Sequence, residues 1–154
     1  NEILGQWLYS KTGGSYIHGM GQYIGLVDDG KILAVAGYEN YNTASVHCHI
    51  AVEGMMNREF LRYIFAYPFN ELKVKKLIGI VPSFNEKALK LDKHLGFVEE
   101  CVIKDAHPGG DLHILTMTKE QCKFITNSGN PDERTLIEDN HHGTIQQTIS
   151  TSRA

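Results

Sequence analysis

Apolar positions recur along this chain in two rhythms, helical and extended, and the switches between them outline the fold. At the start, Ile3, Leu4, Trp7 and Leu8 repeat with helical spacing, with Asn1 in the place of an N-cap and Gly13-Gly14 as the stop. A chain seldom begins inside a helix cap, so further residues upstream, including a first strand, are expected. From Gln22 to Val52 the pattern becomes that of strands. Residues 23–27 and 31–38 flank Asp28-Asp29-Gly30, a hairpin signal, and the polar turn Glu39-Asn40-Tyr41-Asn42 leads into residues 43–52. Three strands on short turns predict an antiparallel meander.

Helical spacing returns at Phe60, Leu61, Ile64 and Phe65 behind Asn57, a good N-cap, and Pro68 stops or kinks this helix. Residues 76–81 form a continuous apolar run, as in strands buried on both faces. Strand, helix and buried strand predict a right-handed parallel crossover. Ser83-Phe84-Asn85-Glu86 fits a capping box with Ser83 as N-cap. The helix it opens carries Phe84, Ala88, Leu91 and Leu95 on one stripe, turns Lys87, Lys90 and Lys93 to water, and stops at Gly96. Two further strands, 97–104 and 111–118, follow around His107-Pro108-Gly109-Gly110. Strands 43–52 and 76–81 are expected as parallel neighbours, with helix 57–68 on one face of the sheet and helix 85–95 on the other.

Beyond Ile125 the chain turns polar, with Leu136, Ile137, Ile145 and Ile149 as sparse apolar points. The reading is therefore a domain over residues 1–124 and a polar C-terminal arm over 125–154. Such a composition builds no core of its own, so the arm is expected to lie across another surface, on a second copy or a different subunit, with packing back on its own domain as the alternative.

Composition narrows the function. A chain of 154 residues, 42% hydrophobic and 21% charged, has the size and make-up of one globular domain. Its formal charge of −3 lacks the basic surface a nucleic-acid partner needs, and no strand carries the aromatic pattern of an RNA-binding module. No apolar run reaches the ~20 residues of a membrane helix. Cys48, Cys101 and Cys122, odd in number and without C-x-x-C spacing, argue against a disulfide framework or a zinc ribbon. They read as reduced thiols of a cytoplasmic protein.

The stretch Val81-Pro82-Ser83-Phe84-Asn85-Glu86-Lys87-Ala88-Leu89, ending in Leu95-Gly96-Phe97, resembles the fifth-strand and fourth-helix signature of the GCN5-related N-acetyltransferases. The order meander, helix, strand, helix, strand, strand is similar as well. Tyr67-Pro68-Phe69 and Gly110-Asp111 are similar to segments of acetyltransferase-like proteins encoded by bacteriophages. The resemblance covers roughly residues 1–124. It implies an α/β fold with one mixed sheet, an antiparallel meander followed by a parallel β-α-β splay, and helices on both faces.

It also implies acetyl-CoA as co-substrate. The pantetheine arm would lie in the splay against the backbone of Ile50, Ala51 and Val52, with N–H groups near Ala51 and Val52 holding the oxyanion. The pyrophosphate would sit on the N–H groups of Met55 to Phe60, among them Met56 and Asn57, with Arg58 adding charge and Asn85 as a further contact. Two positions depart from the family. Its R/Q-x-x-G-x-G/A loop is replaced by Glu53-Gly54-Met55-Met56-Asn57-Arg58, and the tyrosine that protonates the leaving thiolate is replaced by Asp92, or its neighbour Leu91.

Candidate bases for the amine are His47 and His49, which share a strand face because side chains alternate with period two; Asp111 is a weaker one. The histidines also read as polar residues of a half-exposed strand, or as a metal pair without a third ligand that sequence can name, and no metal is assigned. Asn85 also reads as a helix cap. Two functions remain open. One is an N-acetyltransferase acting on an amine, carried by a small molecule or by a protein N-terminus or lysine. The other is a catalytically silent protein of the same fold, bound to a host protein or built into a phage particle through residues 125–154, which would place it in the host cytosol or the virion.

Overall fold

The structure is a computed structural model that describes residues 2–125 and, for the backbone, 144–148. Among these residues three α-helices and seven strands follow in the order α1 (Glu2–Thr12), β1 (Gly21–Asp28), β2 (Lys31–Glu39), β3 (Ser45–Val52), α2 (Arg58–Ala66), β4 (Lys76–Pro82), α3 (Glu86–Leu95), β5 (Val98–His107), β6 (Gly110–Thr118) and β7 (Thr144–Thr148). The strands form one sheet in the order β5-β6-β4-β3-β2-β1-β7.

The expected meander is present. β1 and β2 pair from Gly21 opposite Glu39 to Asp28 opposite Lys31. The two residues between them, Asp29 and Gly30, both take positive φ (46° and 73°), the backbone of a tight turn whose twist matches the strands. β2 and β3 pair from Ala34–Val52 to Glu39–His47. α2 begins at Asn57, whose Oδ1 accepts from Phe60 N at 2.7 Å. The α-helix ends at Ala66, just before Pro68, but the helical path continues. Lacking an N–H there, the chain widens by one residue per turn over Tyr67–Glu71, where Leu72 N donates to Tyr67 O.

Three expectations change. Ser83 is not the cap of α3; Asn85 is, its Oδ1 accepting from Ala88 N at 3.1 Å. Ser83 Oγ instead accepts from Asp111 N at 3.2 Å, tying the β4–α3 loop to β6. Phe84 accordingly leaves the helix stripe and stands 60% exposed, edge-on to His107.

The second change concerns the layers. α2 and α3 lie on the same face rather than on opposite ones. Phe60, Ile64 and Phe65 of α2 and Leu95 of α3 belong to one buried cluster with Ala36, Val46, Leu77, Leu115 and Met117. Right-handed crossovers require this. β4 and β5 are both antiparallel to β6, and β3→β4 and β4→β5 step the same way along the sheet, so both helices must pass over the same side. Among the described residues α1 is the one helix on the other face, where it covers β1 to β3, with Leu4 and Leu8 packed on Tyr23, Val35 and Ala51 while Ile3 points to solvent.

The third change concerns the arm. Residues Thr144–Thr148 pair antiparallel with β1, Leu26 opposite Ile145, so part of the arm joins its own sheet instead of another surface. Strand addition satisfies the edge of β1 through backbone groups, which is why the sparse side chains gave no hint of it. Asn1, His141, His142, Leu136, Ile137 and Ile149 lie outside the described residues. Ending the chain at Ile125 is expected to lower the melting temperature by a few degrees, because β1 then loses a strand. An unchanged melting temperature with loss of self-association would instead place the arm's contribution on another molecule.

Candidate active site

β3 and β4 run parallel but stay together only briefly. Ser45, Val46 and His47 face Lys76, Leu77 and Ile78, and beyond those three pairs the strands part. Residues 48–52 therefore keep β2 on one side and, among the described residues, have no strand partner on their other edge. On the opposite bank, β4 continues through Gly79 to Pro82, paired with β6 alone. The result is a V-shaped gap in the middle of the sheet, closed at His47 and open toward Val52 and Pro82. Two surface hollows, of about 600 Å³ around Phe69, Lys75 and Lys119 and of about 220 Å³ around Met20, Tyr41 and Val46, do not border the gap. Unpaired strand backbone, rather than enclosed volume, marks the site.

The two faces of the gap carry different chemistry. On the α2/α3 face, Asp92 of α3 comes down over β4. Its Oδ2 lies 3.4 Å from where a β-carbon would stand on Gly79, so the missing side chain there makes room for it. Among the described residues no cation pairs with Asp92, and burial pushes its carboxyl from 3.8 up to about 7. Cys48, buried on the same face, has its thiol held well above the usual range by burial and by the neighbouring Asp92. Asp92 is fixed from behind. Its carbonyl accepts from Gly96 N and Phe97 N at the end of α3, where Gly96 takes φ 110°.

On the α1 face stands His49. Burial lowers its pKa from 6.5; Glu39 opposes that shift and His47 adds to it. Its imidazole is therefore neutral near pH 7, with a nitrogen lone pair to offer. Glu39 Oε2 is 3.8 Å from His49 Nε2. Glu39 Oε1 accepts from Tyr9 Oη and, at 3.3 Å, from Tyr23 Oη. Burial and this carboxylate raise both phenols, Tyr23 to about 12, so they stay protonated and keep donating. His47, two residues back, sits at the closed end of the V with Nδ1 3.2 Å from Asn40 Nδ2. The two histidines share a face as expected, but only His49 borders the opening.

At the open end lies the start of α2. Arg58 and Glu59 are its first residues, so their N–H groups have no carbonyl within the helix to reach. Phe60 N–H, also expected to be free, is taken by the Asn57 cap. Glu53 N and Gly54 N both donate to Leu33 O, at 2.8 and 3.2 Å, and the Glu53 carboxylate is paired with Lys11, which holds it below the usual range. Met56 packs beside the core, Ile50 and Val52 do likewise, and Ala51 faces α1. Asn85 spends its oxygen on capping α3. Asp111 is committed too, its oxygens taken by Lys104 Nζ at 2.9 Å and Asp105 N at 3.0 Å, which leaves it a poor base. Among the described residues no three His, Cys, Asp or Glu side chains group as metal ligands, and no helix is long and apolar enough to cross a membrane.

This fold has counterparts among solved structures. The ribosomal-protein-S5-alanine acetyltransferase of Vibrio fischeri superposes with a TM-score of 0.56 at 20% identity, covering 69% of this chain and 66% of that one. The fold is that of the GCN5-related N-acetyltransferases. Campylobacter jejuni N-acetyltransferase PseH, in complex with acetyl coenzyme A, superposes with a TM-score of 0.52 at 23% identity, covering 66% and 70%. A mutant form of the spermidine N-acetyltransferase SpeG of Vibrio cholerae gives 0.57 at 20%, covering 80% and 77%. The chain spans just under two thirds of the length of the Vibrio fischeri acetyltransferase. Its sequence matches no protein-family profile and no curated protein. Within this acetyltransferase fold, Glu39, Tyr9 and Tyr23 were not anticipated. They meet only because β2 ends beside α1, and the one sequence signal for them is a glutamate closing an otherwise apolar strand.

Proposed function

We propose that this protein is an acetyl-CoA-dependent N-acetyltransferase acting on an amine. The observation that carries the proposal is the gap itself. Strand backbone is left free along residues 48–52, a proton donor (Asp92) stands on one face, and a neutral imidazole (His49) stands on the other. The pantetheine arm of acetyl-CoA fits along Ile50, Ala51 and Val52 as a strand would, and the pyrophosphate at the N–H groups from Met56 through Asn57 and Arg58 to Glu59. Backbone N–H groups near Ala51 and Val52 would meet the developing oxyanion. His49 receives the amine's proton, and Asp92 gives one to the departing thiolate, the role the resemblance assigns to tyrosine. A carboxyl titrating near 7 has a proton to give at neutral pH, whereas one at 3.8 does not.

Acetyl-CoA is expected to bind with at least micromolar affinity by calorimetry. At a hundredfold excess over Kd it should add about 2.7 kcal/mol of stability, visible as a rise in melting temperature. Saturating acetyl-CoA that yields neither heat nor a shift would defeat the proposal.

A second reading is favoured by the β3–α2 loop, which has one glycine where the resemblance predicts more and spends two of its N–H groups on Leu33. In that reading the protein is a silent relative of the fold with a binding or assembly role, in a phage particle or on a host protein. The same titration separates the two.

A further inference from the structure

The sheet has an uncovered half. On the α1 side, Ile78, Ile80 and Pro82 of β4 lie beside Thr116, Ile114 and Leu112 of β6, and these beside Val98, Cys101 and Ile103 of β5. α1 packs on β1, β2 and β3, while α2 and α3 occupy the opposite face. The Thr116 end of this surface is polar, its hydroxyl donating to Glu100, which pairs with Lys76; from Ile80 to Ile103 it is an apolar shelf, and among the described residues no helix packs on it. Ile80 is 36% exposed and Ile103 48%.

The shelf begins at the gap. His47 faces Ile78 in register, so two residues further on His49 and Ile80 face each other across the opening, on the same side of the sheet. One bank of the gap is therefore an imidazole backed by the Glu39 carboxylate, and the other is the first rank of an apolar surface reaching through Ile114 toward Leu112 and Ile103. A second copy of the chain is a poorer match. The edge strand β5 is interrupted by two irregularities, a left-handed Asp105 and the ion-paired Lys104, which blunt edge pairing. At its inner end the shelf meets the Glu39 carboxylate and the His49 imidazole at the gap.

Resting on the acetyltransferase reading, we infer that the acceptor is a primary amine carried on an apolar body: its ammonium is drawn to Glu39 and His49, and its body lies over Ile80, Ile114, Leu112 and Ile103. In the transfer, the amine nitrogen bonds to the thioester carbonyl carbon and the carbon–sulfur bond breaks. Of the three ammonium protons, one stays on the amide nitrogen and one leaves through His49 to solvent. The third replaces the proton that Asp92 gives to sulfur. The products are the amide and the free thiol.

The test uses the full chain, acetyl-CoA and straight-chain amines from ethylamine to hexylamine. Burial of a methylene favours association about fourfold. On a half-open shelf kcat/KM should rise roughly threefold per methylene, on the order of 10²-fold across the series. Ile114→Asp should flatten the series, read as the ratio of hexylamine to ethylamine so that a general loss of activity cancels. Ile103→Ser, at a half-exposed position, gives the same readout if the first variant fails to fold. A flat or falling series, or a preference for 1,4-diaminobutane over hexylamine, with ethylamine still acetylated, overturns this inference alone. So does a dimer that shields Ile103 together with a flat series. Absence of both acetyl-CoA binding and ethylamine turnover removes the acetyltransferase reading, and this inference with it.

Discussion

Asp92→Asn is expected to lower kcat by about 10²–10⁴-fold, the usual worth of a general acid, while acetyl-CoA still binds. Asparagine keeps the size and hydrogen-bonding reach of the side chain but has no proton to give. In the parent, kcat should rise with pH as His49 loses its proton, at a value below 6.5, and fall as Asp92 loses its own near 7. The variant should lose the alkaline limb and keep the acid one. A variant with unchanged kcat, or a parent whose rate keeps climbing above pH 8, removes Asp92 from the reaction.

The same substitution has a consequence for stability, of opposite sign. A carboxyl whose folded pKa is raised favours the native state when protonated. That contribution is fully present below its ordinary value of 3.8 and is lost as pH rises through about 7. At about 1.36 kcal/mol per pH unit the gap between 3.8 and 7 sets a ceiling near 4 kcal/mol. Asp92 keeps some access to water, so about 1–2 kcal/mol is expected. Asp92→Asn should then melt higher than the parent at pH 8 and no differently at pH 4. A stability cost at the residue proposed as the general acid is what a reaction site would produce.

The second large effect is structural. Leu95→Ala is expected to cost about 2–5 kcal/mol in chemical denaturation, the range for a leucine whose removal leaves a cavity. Leu95 is 1% exposed, in the cluster that joins α2 to α3. It also precedes the Gly96 turn that receives the Asp92 carbonyl's partners, so activity should fall together with stability. A cost below about 1 kcal/mol would mean that α3 is not anchored at this point.

Much of this molecule was written in its sequence, because the information is local. Period-two and helical spacing, Asp29-Gly30, Asn57 and Gly96 each act within a few residues, and they are enough to set the meander, the parallel β3–β4 pair, the helix ends and an α/β fold. The candidate residues His49 and Asp92 were legible too, from strand alternation and from the position the resemblance gave. What tertiary structure alone decided depends on distance and solvent. Two right-handed crossovers in the same direction put α2 and α3 on one face, which no stretch of residues states. Strand parting after three pairs separates His49 from His47, and desolvation beneath α3 turns an ordinary aspartate into an acid near neutrality. Glu39 meets Tyr9, 30 positions away in sequence, only across the packed face of α1, and Thr144–Thr148 finds β1 through backbone groups that carry no sequence signal at all.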